Sequence, residues 1–211
     1  MREIRIATTQ FENRDNDKAF NLGRIDQLAG QAAAGGAEIV SFHEGCIPAY
    51  SWIQPLEKEQ LLEVAEPVPD GDSVQQLVEI AGRHQLVVMA GMLERDEEDH
   101  VYNCYVTVGP DGYITRFRKI HPFVNPHLSP GNEYNVIDLL GCKVGFLICY
   151  DNNLVENVRL TAMMGADSYV SCSSGETTPR HSRSLTSPLP MTVFRSFEPG
   201  RTLGGPSTET G

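Results

Sequence analysis

Three side chains of this sequence carry the chemistry needed to attack a carbonyl or nitrile carbon: Cys149, Glu44 and Lys119. A thiol is a poor nucleophile near neutral pH and needs a base or a cation beside it. Cys149 follows the apolar run Val144-Gly145-Phe146-Leu147-Ile148 and precedes Tyr150-Asp151-Asn152-Asn153. The run has the length and composition of a buried strand. Beyond it, Leu154, Val158, Thr161 and Ala162 are spaced like one face of a helix. A thiol on a sharp strand-to-helix turn stands clear of the sheet, where helix N-terminal amides polarise it. Asp151, Asn152 and Asn153 suit the N-cap of that helix.

Glu44 follows the strand-like residues 39–42, and Lys119 follows a strand that ends at Arg118. Positions just beyond strand ends are where α/β sheets build their sites. A buried carboxylate takes up a proton more readily than an exposed one, so Glu44 is the candidate base for the thiol. A lysine at the same centre favours the thiolate and donates to a developing oxyanion. Taken singly, each residue has a plainer reading. Cys149 is then a small buried hydrophobe, Glu44 a solvated carboxylate, and Lys119 part of a basic hairpin tip with Arg116 and Arg118. His121 reads as a packing histidine.

The elements that must position these groups alternate. Residues 4–9 read as a strand, 21–34 as an amphipathic helix stopped at Gly35-Gly36, and 39–42 as a second strand. This is the start of an α/β sheet. Residues 60–65 form one or two helical turns in a proline-punctuated loop. A helix runs from Asp72-Ser73 to about His84, followed by a strand over 86–93. The acidic residues 94–99 read as a solvated turn. Residues 101–108 and 113–118 form a hairpin around Gly109-Pro110-Asp111-Gly112. Residues 135–139 and 143–149 pair around Gly141, and 167–172 is a further strand. Residues 1–176 make one domain. Residues 177–211, rich in Pro, Ser and Arg, read as a disordered tail in which only residues 191–194 have strand character.

The 211 residues suffice for one sizeable core. A net charge of −11 argues against nucleic acid or an anionic membrane surface as partner. No apolar run reaches the roughly 20 residues that span a bilayer. The N-terminus lacks a secretory pattern, so the expected location is cytoplasmic. The five cysteines are scattered and include no C-x-x-C pair, which argues against a disulfide framework or a structural zinc.

Three stretches together resemble the nitrilase superfamily of carbon–nitrogen hydrolases. They are Phe42-His43-Glu44, Arg118-Lys119-Ile120-His121 and Gly145-Phe146-Leu147-Ile148-Cys149-Tyr150-Asp151. Asn103, the Pro130-Gly131 turn, Arg159 and Gly165-Ala166-Asp167 add secondary matches. The resemblance covers roughly residues 1–174. It implies an α-β-β-α sandwich, paired into homodimers through the outer helices, with no metal or organic cofactor. It implies Cys149 as nucleophile and Glu44 as general base. Lys119 and the backbone N–H of Tyr150 would stabilise the tetrahedral intermediate. Tyr150, Asn152, Asn153 and His43 are the candidate substrate contacts, and the substrate class is a small amide, N-carbamoyl compound or nitrile.

Two departures stand out. Many members carry a second glutamate in the loop after the lysine, and Pro126 occupies the corresponding place, with Glu133 beyond the turn as a possible substitute. The sequence also lacks the further strands and helix that follow residues 167–172 in the family, so the sandwich is expected to be shortened at its C-terminus. These departures favour an alternative, a truncated or catalytically inactive relative that keeps the fold and acts, if at all, through binding or dimerisation.

Overall fold

A computed structural model describes residues 3–172 and 191–195. The first unit is β1 (Glu3–Thr8), α1 (Lys18–Ala34) and β2 (Ile39–Ser41), with β1 and β2 parallel and Ile6 opposite Ile39. The helix starts earlier than its apolar periodicity alone implies, because the Asp17 carboxylate accepts the Phe20 N–H at 3.0 Å. It buries Leu22, Ile25, Leu28, Ala29 and Ala32 at helical spacing. Next come α2 (Lys58–Val64) and α3 (Asp72–His84). The strands β3 (Val87–Arg95), β4 (Val101–Gly109) and β5 (Gly112–Arg118) then form an antiparallel meander. β6 (Val136–Leu139) and β7 (Cys142–Ile148) follow, then a 3-10 turn (Cys149–Asn153), α4 (Val155–Met163) and β8 (Ser168–Cys172).

Two sheets result. The larger has the order β5-β4-β3-β2-β1 and ends with β9 (Met191–Arg195), antiparallel to β1. The smaller has the order β6-β7-β8. α1 and α3 cover one face of the larger sheet, packing Ile25, Leu28, Leu77 and Ala81 on Val40, Val88 and Val106. The other face, carrying Ile6, Ile39, Met89, Tyr105 and Phe117, packs on Val144, Phe146 and Ile148 of the smaller sheet. α4 lies against β7. The layers are therefore helix, sheet, sheet, helix, an α-β-β-α sandwich in which each sheet buries its apolar side chains against the other. β9 is the part of the 177–211 tail that is described, and the rest of that assignment lies outside the described residues. No helix among the described residues is long and apolar enough to cross a membrane.

Three expectations are corrected. The acidic stretch 94–99 is not solvated throughout, since β3 continues through Glu94, which is only 2% exposed. Its carboxylate receives Arg116 Nε at 2.8 Å, Arg118 Nη2 at 2.7 Å and Arg118 Nε at 3.0 Å, so two guanidiniums from β5 make its burial tolerable. The buried face of α4 is polar. Asn157 and Thr161 are enclosed whereas Ala162 is exposed. Asn157 sinks because its Nδ2 donates to Asp151 O at 2.9 Å and its Oδ1 accepts from the Tyr134 hydroxyl at 2.6 Å. Finally, Asp151, Asn152 and Asn153 do not cap α4. They belong to the 3-10 turn, and the cap residue is Leu154, without a side-chain cap bond.

Candidate active site

The site lies where β2, β5 and β7 end. β2 passes into Phe42-His43-Glu44, and the next turn folds back across β3. Ile47 N–H donates to Gly91 O at 3.1 Å, and Phe42 N–H donates to Met89 O at 2.9 Å. This apposition needs a glycine on β3, because a Cβ at position 91 would stand 2.2 Å from Gly45 N and 2.9 Å from Glu44 Cα. Glu44 is thereby held with no exposure to solvent. A second close approach sets the lysine. Gly131 N–H donates to Lys119 O at 2.8 Å, and a Cβ at position 131 would meet Arg118 O at 2.3 Å.

Lys119, also fully buried, extends its Nζ to 2.6 Å from Glu44 Oε1. Asn103 on β4 ties the two together. Its side-chain N–H donates to the same Glu44 oxygen at 2.7 Å, and its backbone carbonyl accepts the Lys119 N–H at 2.8 Å. Two opposite charges taken out of water hold only with such geometry and added hydrogen bonds. The Lys119 ammonium also lies 5.3 Å from the Phe123 ring centroid and 5.8 Å from that of Tyr50.

Cys149 follows β7 with φ +48°, a left-handed conformation that side chains rarely adopt and that sharp functional turns retain. Strand direction is lost at that residue, and the chain enters the 3-10 turn. Asp151, fully buried, holds the turn in place. Its carboxylate accepts the backbone N–H of His121 at 2.8 Å, of Ile120 at 3.2 Å and of Ile148 at 3.3 Å. Burial pushes its carboxyl above the usual range, opposed by those three N–H donors and by the Lys119 charge. Burial pushes the Cys172 thiol on β8 well up, and the charges of Glu44, Cys46, Lys119 and Cys149 also act on it, so it stands near these groups.

The other sequence candidates divide. Tyr150 is 41% exposed and meets the exposed Phe123 edge-on, with ring centroids 5.3 Å apart, forming an aromatic rim next to Lys119. Asn152 is half-buried, and its Oδ1 is enclosed with no hydrogen-bond partner among the described residues. Asn153 is exposed. His43 is buried with its ring edge-on to Phe11, centroids 5.0 Å apart. Burial pushes its imidazole down to about 4, so it is neutral at pH 7. His121 contributes its backbone N–H to Asp151.

Pro126 is exposed, and beside it the buried Asn125 donates to Ile53 O at 2.9 Å and Leu56 O at 2.8 Å. Glu133 is exposed in the wall of a cavity of about 440 Å³ between β5 and β6, along with Tyr113 and Arg116. Neither position places a second carboxylate beside Lys119.

A family model for carbon-nitrogen hydrolases matches residues 5–191. The chain belongs to that family. It is 31% identical to a nitrilase of Pyrococcus abyssi over 167 residues, covering 78% of this chain and 62% of the relative. It is 32% identical to an (R)-stereoselective amidase of a Pseudomonas species over 167 residues, covering 78% and 58%. It is 30% identical to the omega-amidase of Homo sapiens over 177 residues, covering 78% and 61%. The chain thus spans about three fifths of the length of these curated relatives. Its fold is similar to that of Saccharomyces cerevisiae Nit3, a nitrilase-superfamily member, with TM-score 0.71 and 28% identity over 83% of this chain and 66% of that one. An amidase from Nesterenkonia sp. shares the fold at TM-score 0.68 and 22% identity, over 82% and 67%.

Four features of the site carried no role in the sequence. Asn103 stood out only as a secondary match, and Asp151 only as a helix cap and the last residue of the stretch around Cys149. Tyr50 and Phe123 carried no sequence signal, since an aromatic beside a lysine is recognisable only once β5 and the loops are in place.

Proposed function

We propose that the carbon-nitrogen hydrolase domain, residues 1–176, cleaves a carbon–nitrogen bond of a small amide or N-carbamoyl compound. Nitriles belong to the same range of substrates. The observation that carries this reading is the fully buried Glu44–Lys119 pair at 2.6 Å, at the strand ends where Cys149 also stands on its left-handed turn. Glu44 takes the thiol proton, and the sulfur attacks the carbonyl carbon. Lys119 and the Tyr150 N–H stabilise the oxyanion. The leaving amine departs with the proton held by Glu44, and water then hydrolyses the thioester. The site residues need no metal or organic cofactor for these steps.

The small, aromatic-rimmed approach formed by Phe123 and Tyr150 favours a compact substrate with an apolar part. His43 and Asn153 are the weaker contacts within this reading, and Asn152, with its enclosed oxygen, is the stronger. A homodimer through the outer helices is part of the same reading, supported by Val155 and Met163 of α4, each 71% exposed. So is a cytoplasmic location, where a thiol nucleophile stays reduced.

A second reading, a nitrilase-fold chain acting through binding or dimerisation, is favoured by the exposure of Pro126 and Glu133. One experiment separates the two. The protein is incubated with a panel of amides, N-carbamoyl amines and nitriles, and ammonia release and intact mass are followed. Hydrolysis with a transient acyl adduct, both absent in Cys149→Ala, supports the first reading. No turnover and no adduct with any member of the panel leaves the second.

A further inference from the structure

β8 ends in a thiol, Cys172, that packs in the same cluster as Cys149 and that the hydrolytic reading does not use. β7 and β8 are parallel with Ile148 opposite Cys172, so Cys149 is one residue beyond the partner of Cys172. A strand spacing of about 4.8 Å and a rise of about 3.3 Å put such Cα atoms about 6 Å apart. A disulfide spans Cα separations of roughly 4.4–6.8 Å. The two residues share one cluster, Cys172 4% exposed within it and Cys149 partly buried against it. The charges of Glu44, Cys46, Lys119 and Cys149 all act on Cys172.

The remaining cysteines are placed differently. Cys142 begins β7, at the opposite end of that strand from Cys149. Cys104 packs in the cluster under α1 and α3, on the far face of the larger sheet. Cys46 also acts electrostatically on Cys172, but it is fully buried, away from an oxidant in solvent, with its Sγ directed to Gly91 O at 3.5 Å.

We propose that Cys172 is a resolving thiol for Cys149, closing a Cys149–Cys172 disulfide when a peroxide oxidises the nucleophile. The roles divide by exposure. Cys149 is half-exposed and meets the oxidant first. Burial pushes the Cys172 thiol well up, so it stays protonated and does not react with peroxide itself. In the first step the Cys149 sulfur attacks a peroxide oxygen. The O–O bond breaks, water leaves, and the product is a sulfenic acid. In the second step the Cys172 sulfur attacks the sulfenic sulfur. The S–S bond forms and the S–O bond breaks, and the Cys172 proton leaves with the hydroxyl as water. Two electrons pass from the two thiols to the peroxide, and a dithiol reductant reverses the reaction. The consequence is an enzyme that is switched off reversibly and spared irreversible sulfinic oxidation.

The inference needs the Cys149 elbow but not a particular substrate, and its test reads mass rather than turnover. The full chain is treated with hydrogen peroxide, blocked with an alkylating agent, digested without reductant and analysed by mass spectrometry. The expected product links the Cys149 and Cys172 peptides, and the thiol count of the unfolded chain falls by two from five. Dithiothreitol restores the count. Cys172→Ser and Cys172→Ala lose the link and accumulate Cys149 sulfinic acid several-fold faster than the parent chain. Near-parental circular dichroism of either variant guards against misfolding. A Cys46–Cys172 link in the parent chain overturns the proposal, as does Cys149 sulfinic acid forming equally fast with and without Cys172.

Discussion

The Asp151 carboxylate accepts the backbone N–H of His121 at 2.8 Å, linking the turn that begins at Cys149 to the strand end that delivers Lys119. The same carboxylate accepts the N–H groups of Ile120 and Ile148. One buried side chain thus fixes the separation between two parts of the site that are 30 residues apart in sequence. Removing it leaves three enclosed donors, each costing about 1–3 kcal/mol if unsatisfied. Asp151→Ala is expected to lose at least ~2 kcal/mol of stability and most of the reactivity of Cys149. Asp151→Asn, which keeps one acceptor oxygen, falls between. Urea unfolding and the rate of Cys149 alkylation by iodoacetamide measure both effects. An alkylation rate unchanged in Asp151→Ala would show that the link does not position the thiol.

The Glu44–Lys119 pair makes a different prediction, because neither group has access to water. Lys119→Met leaves a buried carboxylate without its cation, and breaking such a pair costs about 3–5 kcal/mol. The double variant Glu44→Gln/Lys119→Met removes both charges and is expected to be more stable than Lys119→Met alone, though inactive. Chemical denaturation of the two variants checks the order. The reverse order would mean that Glu44 stabilises the fold even without Lys119.

Glu94 is the hub for Arg116 and Arg118 at the strand edge. Their side chains are 34% and 22% exposed, so water partly screens what they lose. Glu94→Ala is expected to cost about 2 kcal/mol. Arg118→Lys is not a conservative change here, because one ammonium cannot reproduce the paired Nε and Nη2 contacts. Thermal melting of both variants, with Arg95→Ala as an exposed-side control, tests this.

His43 predicts a pH dependence of stability. Its imidazole titrates near 4 in the folded chain, against 6.5 for the ordinary side chain. Between those values the unfolded state binds the proton and the folded state does not, so stability rises with pH across that window. The His43 contribution is complete above about pH 6.5 and is lost as pH falls to about 4, amounting to about 3 kcal/mol. His43→Phe, which packs on Phe11 without titrating, is expected to flatten this part of the profile. Denaturant midpoints measured at half-unit pH steps provide the test.

The layered fold was legible because apolar periodicity marks it directly. Leu22, Ile25, Leu28 and Ala29 sit at helical spacing, and Val144 to Ile148 form an unbroken strand. The convergence of Glu44 and Lys119 past the ends of β2 and β5 follows from the same reading, since residues past strand ends meet once the strands are ordered. Illegible were the polar groups that fold inward. Glu94 reads as solvated until β5 brings two arginines to it. Asn157 reads as lying off the buried face of its helix until Tyr134 and Asp151 supply hydrogen bonds. Asp151 reads as a cap until Ile120 and His121 arrive from the hairpin. In each case the energy that permits burial comes from a partner remote in sequence, and local pattern carries no trace of it.

The bare backbone at Gly91 has a consequence for how this protein would respond to exhaustive mutagenesis. That residue has no side chain, yet a single added methyl would push against the peptide that carries Glu44. A saturation scan scored by turnover would therefore rank position 91 with the nucleophile and draw the catalytic map one strand too wide. Anyone grafting Glu44, Lys119 and Cys149 onto another sheet would inherit the same requirement. The recipient must offer an empty notch behind the carboxylate as well as three side chains in front.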